Sequence, residues 1–277
     1  TTLIIGVNMS CNEAMLKLGV RSGIRRAIKS IEDKQYPKLA MLRLAIGKSE
    51  KTKAIANRNS KMPGYTYGAS AWFCQTGMKL ADIAGTVCSL CYAKNGNYLF
   101  DNVKKGKTMV SLAIEYYNEI QDFSPWVIAM SQIITKRCII KKIKDDDGNI
   151  IMTKDDSWFR WHDSGDIQSV LHLEAINQVA LNCPKVKFWL PTKEGKMVKE
   201  FLKNNEVASN LCIRISGYQI GKKASAFGTG INTSTVNYDA SKHHCIAPKQ
   251  GGSCDGELAS CRNCWDKEVP NVNYILH

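Results

Sequence analysis

The hydrophobic period changes several times along the chain. Residues 11–33 place Leu16, Val20, Ile24, Ala27 and Ile31 near a helical repeat interrupted by Gly19 and Gly23, which predicts two short helices with Ser22 as a cap. Tyr36-Pro37 opens a further helix that Gly47 stops, and residues 48–58 read as a polar, basic linker. Residues 59–98 are irregular, with Pro63, Gly64, Gly68, Gly77, Gly85 and Gly96 scattered through them. A stretch of that length inside a globular protein owes its order to something bound. Helical spacing returns at 106–121 and 125–134, and 136–154 reads as a hairpin around Asp146-Asp147-Gly148-Asn149.

The middle is the most regular part. Residues 158–162, 186–190 and 211–215 read as strands, and 168–182 and 195–204 as the helices between them. Strand–helix–strand repeats with short connections imply a parallel sheet. Because the strands mix apolar and polar residues, the expected fold is α/β: a parallel-sheet, TIM-like part-barrel with N-terminal helices and a cysteine-rich metal-binding tail. The expected division is a basic helical extension over 1–57, the part-barrel core with its hairpin over 58–240, and the tail packed on the core over 241–277.

At 277 residues the chain suffices for one substantial core. No window approaches the ~18 consecutive apolar residues of a membrane span, and the opening residues lack a signal peptide's apolar core, so a reducing cytoplasm is expected. The formal charge of +13 is concentrated at the start, where residues 1–60 hold 12 Lys/Arg against 4 Asp/Glu. That bias points to a polyanion such as nucleic acid, with Arg21, Arg25, Arg26 and Lys29 as the candidate contacts. Solvation of the surface is the plainer reading of the same charges.

Cysteine carries the strongest chemical signal. Cys245, Cys254, Cys261 and Cys264 fall in a glycine-rich stretch with few apolar residues, which a tetrathiolate site would order. His243 and His244 stand in reserve as ligands, and zinc and an iron–sulfur centre both suit the set. Cys74, Cys88 and Cys91 form a second group, able to hold three irons of a [4Fe–4S] cluster or to give three thiolates to zinc. Cys11, Cys138, Cys183 and Cys212 are isolated and read as plain thiols. At the carboxyl ends of the three predicted strands stand His162, Asp163 and Asp166, then Lys193, then Arg214, a set suited to anion binding and proton transfer. Capping of the next helix is the alternative for both aspartates.

Several motifs together resemble a known family. Asn59-Ser60-Lys61-Met62-Pro63-Gly64, Cys74-x2-Gly77, Cys88-Ser89-Leu90-Cys91-Tyr92-Ala93-Lys94, Phe159-Arg160-Trp161-His162-Asp163-Ser164-Gly165-Asp166, Phe188-Trp189-Leu190-Pro191-Thr192-Lys193-Glu194 and Cys264-Trp265 resemble the phage and plasmid family called gene product 88, over about residues 57–277. The resemblance implies a phage or mobile-element source, hence the host cytoplasm, and little chemistry. A more distant likeness is to radical S-adenosylmethionine enzymes, which carry a three-cysteine cluster near the first strand of a part-barrel. It implies a [4Fe–4S] cluster on Cys74, Cys88 and Cys91. S-adenosylmethionine itself is less well matched, because 13 residues separate Cys74 from Cys88 and Ser164-Gly165-Asp166 replaces a Gly-Gly-Glu-Pro-like strand end. The leading expectation is an iron–sulfur protein that modifies nucleic acid. The alternatives are a zinc-stabilised nucleic-acid-binding protein without catalysis, and a metal-dependent nuclease using His162, Asp163 and Asp166.

Overall fold

The computed structural model describes residues 11–33, 37–51, 61–240 and 242–276. Seven parallel strands form one open sheet. In chain order its members are β1 (Tyr65–Tyr67), β4 (Trp158–Trp161), β5 (Lys187–Thr192), β6 (Leu211–Ser216), β7 (Thr233–Val236), β8 (His243–His244) and β9 (Asn271–Tyr274). Their spatial order is β1-β4-β5-β6-β7-β9-β8, so the edges β1 and β8 stay apart and no barrel closes. The hairpin is β2 (Ile140–Lys144) with β3 (Ile150–Asp155), a separate and exposed two-stranded ribbon.

Seven helices accompany the strands among the described residues: α1 (Cys11–Glu32), α2 (Leu39–Ala45), α3 (Gln75–Ala81), α4 (Asp101–Ile120), α5 (Ser124–Arg137), α6 (Val170–Asn182) and α7 (Gly195–Phe201). The expected break in α1 is absent, and Ser22 donates to the Gly19 carbonyl at 3.0 Å instead of capping a second helix. Tertiary burial overrides the two glycines, because Val20, Ile24 and Ala27 enter the main core alongside α2 and α4. Tyr36, most of the 48–58 linker and Asn59-Ser60 lie outside the described residues, as does the Cys11 side chain.

Strand alternation sorts the sheet's two faces. Phe159, Trp161, Phe188, Leu190, Leu211, Ile213 and Ile215 join the helices in the large core. Trp189 instead meets Cys264, Trp265, Val269 and Val272, with Trp158 and Tyr274 beside them, in a smaller core. The tail is therefore built into the sheet. It supplies β8 and β9 and covers the face opposite the helices.

Candidate functional site

The loop that leaves β1 crosses the carboxyl ends of β4, β5 and β6, and each strand end pins it. At β4, Ala69 N–H donates to the Ser164 carbonyl at 2.9 Å, and the Ser164 hydroxyl donates to the Ala69 carbonyl at 2.7 Å. At β5, the Glu194 carboxylate accepts from Thr76 N–H at 2.7 Å and from its hydroxyl at 2.6 Å. Thr76 lies in the first turn of α3, and Cys74 is that helix's N-cap residue. Glu194, 5% exposed, thus holds the cysteine-bearing end of α3 on the sheet. At β6, Val87 N–H donates to the Tyr218 carbonyl at 2.9 Å, and the Tyr218 hydroxyl donates to the Lys193 carbonyl at 2.8 Å. The 3-10 turn over Val87–Leu90, capped by Thr86, carries Cys88 and leads into Cys91.

These anchors bring three thiols together. A Cβ at Gly77 would lie 3.6 Å from Cys88 Sγ and 3.7 Å from Cys74 Sγ, so glycine leaves open the point where both sulfurs face. Burial raises the Cys74 thiol's pKa, and the charges of Asp166, Cys91 and Cys88 add to the rise. Lys193 faces the same group. Its ammonium donates to the Gly217 carbonyl at 2.6 Å, burial lowers its pKa, and Cys88, Asp166, Cys91 and Cys74 oppose that fall. Lys193 and Lys94 oppose the burial that raises the Cys88 thiol, without reversing it.

The remaining predicted residues separate. Asp166 stays beside the thiols, where its carboxylate accepts from the Thr192 hydroxyl at 2.6 Å and from Lys193 N–H at 2.8 Å. Burial nevertheless pushes its pKa up to about 7. Asp163 is paired with Lys107 at 2.6 Å and accepts from Thr66 at 3.1 Å. Although burial opposes it, the Lys107 charge and these hydrogen bonds hold the Asp163 carboxyl low. His162 does not reach the rim. With φ at 53° it turns into the helix-side core, edge-on to His172 at 5.6 Å, and both its ring nitrogens are buried without a partner. Burial pushes its pKa down to about 3, against the pull of Asp163. A neutral imidazole with no partner is unsuited to shuttling protons.

Arg214 requires a correction too. It is 0% exposed and lies on the tail side of β6, away from the pocket expected for it. Its five donors meet the carbonyls of Cys264, Thr233, Val269, Asn263 and Asp266 at 2.6–3.2 Å. The guanidinium ties the tail to the sheet. Sequence reasoning passed over the anchoring roles of Glu194, Thr76 and Tyr218. The only signal for them was a carboxylate at the end of a strand and a threonine two residues after Cys74.

In the tail, Cys261 N–H donates to the Cys254 carbonyl at 2.8 Å, and Cys245 N–H donates to the Asn273 carbonyl of β9 at 2.8 Å. Cys264 Sγ lies 3.1 Å from the Tyr274 hydroxyl. Burial, then Cys245 and Cys261, push Cys254 up to about 11, and burial foremost pushes Cys264 up to about 12. Cys245 and Cys254 are thus within electrostatic reach of both Cys261 and Cys264. Among the described residues, no three His, Cys, Asp or Glu side chains close up as ligands of one metal ion would. His244 Nδ1 meets Asn273 Nδ2 at 3.1 Å. Cys138, Cys183 and Cys212 are buried. On α1, Arg21 is paired with Glu119, and Arg26 with Glu50 at 3.0 Å, whereas Arg25 and Lys29 are exposed.

Residues 40–267 match the family described as Gene product 88. The chain belongs to that family. The match begins inside α2, so this family takes in a helix that the motifs alone left outside, and it ends before β9. No curated protein and no solved structure matches the chain. No described helix is long and apolar enough to cross a membrane.

Proposed function

We propose that this Gene product 88 protein is an iron–sulfur enzyme in which Cys74, Cys88 and Cys91 each bind one iron of a [4Fe–4S] cluster, on a sheet similar to the radical S-adenosylmethionine part-barrel. The observation that carries the reading is the loop after β1, which brings three thiols and the Lys193 ammonium to the carboxyl ends of β4, β5 and β6. Parallel α/β folds place their chemistry at such ends. Cysteines of a cluster bind different irons, so their sulfurs stand wider apart than the ligands of a single ion. Held by Cys74, Cys88 and Cys91, such a cluster would supply electrons one at a time.

The chain's own groups then have distinct tasks. Glu194 positions Cys74 through Thr76, Lys193 offsets part of the burial that raises Cys88, and Asp166 receives a proton near neutral pH. S-adenosylmethionine is the cosubstrate that the likeness suggests. Cys245, Cys254, Cys261 and Cys264 would hold a second cluster that orders the tail, since among the described residues no three of these thiols close up as the ligands of one zinc ion would. Nucleic acid as the substrate rests on the charge of +13 and on exposed Arg25 and Lys29. The host cytoplasm, where thiols stay reduced, is the expected setting.

Anaerobic reconstitution with iron and sulfide tests the reading. The expected product is brown, absorbs near ~400 nm and gives a paramagnetic signal on reduction. In a Cys88→Ala, Cys91→Ala double variant the iron at this site is lost while the tail's metal remains. A colourless wild-type protein holding zinc alone would end it.

A further inference from the structure

Arg160 on β4 and Arg214 on β6 share the tail-facing side of the sheet, yet their donors fare differently. All five N–H groups of Arg214 have carbonyl acceptors. Arg160 Nε is buried with no acceptor. Its Nη1 meets the Met62 sulfur at 3.6 Å, and its Nη2 reaches the Tyr92 hydroxyl at 3.5 Å, both at the outer limit of a hydrogen bond. The guanidinium plane lies over the Trp189 ring at 4.6 Å, which adds attraction but no acceptor.

Of the groups that favour the Arg160 charge, Tyr92, Asp163, Tyr274 and Cys264, only the Asp163 carboxyl is held in its ionised form. Asp163 is taken by Lys107 at 2.6 Å, Lys48 acts on the same pair, and Arg160 acts on Asp163 as well. Three cations therefore share one carboxylate. A lysine can relieve such crowding by releasing its proton; a guanidinium cannot. Keeping a part-buried, under-bonded guanidinium is costly unless an anion completes it.

We propose that Arg160 is the receptor for an oxyanion, a carboxylate or phosphate carried by the small molecule that the Cys74–Cys88–Cys91 site handles. Tyr92, the residue after Cys91, donates its hydroxyl to the Asp163 carbonyl and accepts from Arg160, which links the guanidinium to the thiol-bearing loop. An oxyanion held in the guanidinium fork would thus sit against the side chain that follows Cys91. The destination of that molecule rests on the cluster reading above. The binding of the anion does not.

Metal-free protein is titrated with inorganic phosphate and, separately, acetate at constant ionic strength. Unfolding midpoints and equilibrium dialysis are the readouts. The expected wild-type result is saturable uptake of one anion per chain, with a matching upward shift of the midpoint. In Arg160→Met the uptake and the saturable shift are lost. In chloride alone that variant unfolds at the same or a higher denaturant concentration than wild type, because an unpartnered charge has gone. Arg160→Lys, which keeps the charge without the fork, retains weakened uptake and serves if the Met variant does not fold. Uptake unchanged in both variants, or no uptake of either anion by wild type, overturns the proposal. Iron assays after anaerobic reconstitution of the same proteins separate the two readings: Arg160-dependent uptake without iron binding removes only the cluster, and iron binding without uptake removes only the oxyanion site.

Discussion

Replacing Arg214 by Met tests whether this arginine is a structural tie. The substitution keeps most of the side-chain volume and removes all five donors to the tail and β7. The acceptors are not equally exposed to the loss. Val269 O keeps the Asn232 amide at 2.8 Å, whereas Asn263 O keeps Asp266 N–H at 3.3 Å and Asp266 O keeps Val269 N–H at 3.4 Å. Cys264 O, Asn263 O and Asp266 O thus lose their best donors. An unsatisfied buried acceptor costs about 1–3 kcal/mol; with two of the three only weakened, the three together cost less than about 9 kcal/mol. Removing a buried charge returns several kcal/mol of desolvation, which leaves a net loss of about 3 kcal/mol. Against a total stability of about 5–15 kcal/mol the chain should stay folded while its tail opens more often. Denaturant titration measures the first effect, and protease cleavage between Cys245 and Trp265 measures the second. Arg214→Lys, with three donors on one atom, should fall between. A Met variant with a native midpoint and native tail protection would refute the tie. Lost activity on an unchanged fold would return Arg214 to the catalytic set.

Three further outcomes follow from the site. Glu194→Ala leaves Thr76 without its acceptors and should cost about 3 kcal/mol, since hydrogen bonds to a charged group are worth ~1.5–3 kcal/mol each. Hydrogen exchange should quicken over α3, with Glu194→Gln recovering part of the protection; uniform quickening would contradict the anchor. Because burial raises the Asp166 pKa from 3.8 to about 7, its contribution to stability is full below pH 3.8 and fades as the pH rises to about 7. At ~1.36 kcal/mol per pKa unit the span is at most about 4 kcal/mol, read as a falling difference between wild type and Asp166→Asn across that window; a rising difference refutes it. Gly68→Ala would drive a Cβ into Asp163 Oδ1 and Lys107 Nζ. It should force that pair apart and cost ~1–3 kcal/mol by overpacking; a wild-type unfolding midpoint would show that the pair moves freely.

Elements with a full hydrophobic period were legible in the sequence, namely β4, β5 and β6 with α6 and α7 between them. The strands that escaped had no period to show. β1 is three residues long, and its pairing with β4 makes it a strand. β7 and β9 face each other with polar side chains, Thr235 Oγ1 donating to Asn273 Oδ1 and Asn271 Nδ2 donating to Thr235 Oγ1, each at 3.0 Å. Side-chain hydrogen bonds there replace the apolar alternation on which sequence reading depends. Nothing in the tail's composition announced that it would complete a sheet.

The same limit governs the site. The grouping of Cys74, Cys88 and Cys91 was legible because few residues separate them, and the loop after β1 does bring them near one another. His162 was misplaced because a positive φ just past a strand reverses the direction that alternation predicts. Arg160 and Arg214 are the sharpest case, each standing between apolar neighbours in an inner strand and on the same face by parity. Their difference in function arises from residues about 50 or more positions further along the chain. The turn over residues 263–269 presents its carbonyls to Arg214, whereas Arg160 meets the Trp189 ring, the Met62 sulfur and the Tyr92 hydroxyl. A guanidinium is structural where backbone oxygens complete it, and available to a ligand where they do not. The docking of the tail therefore decides which arginine of this sheet can bind.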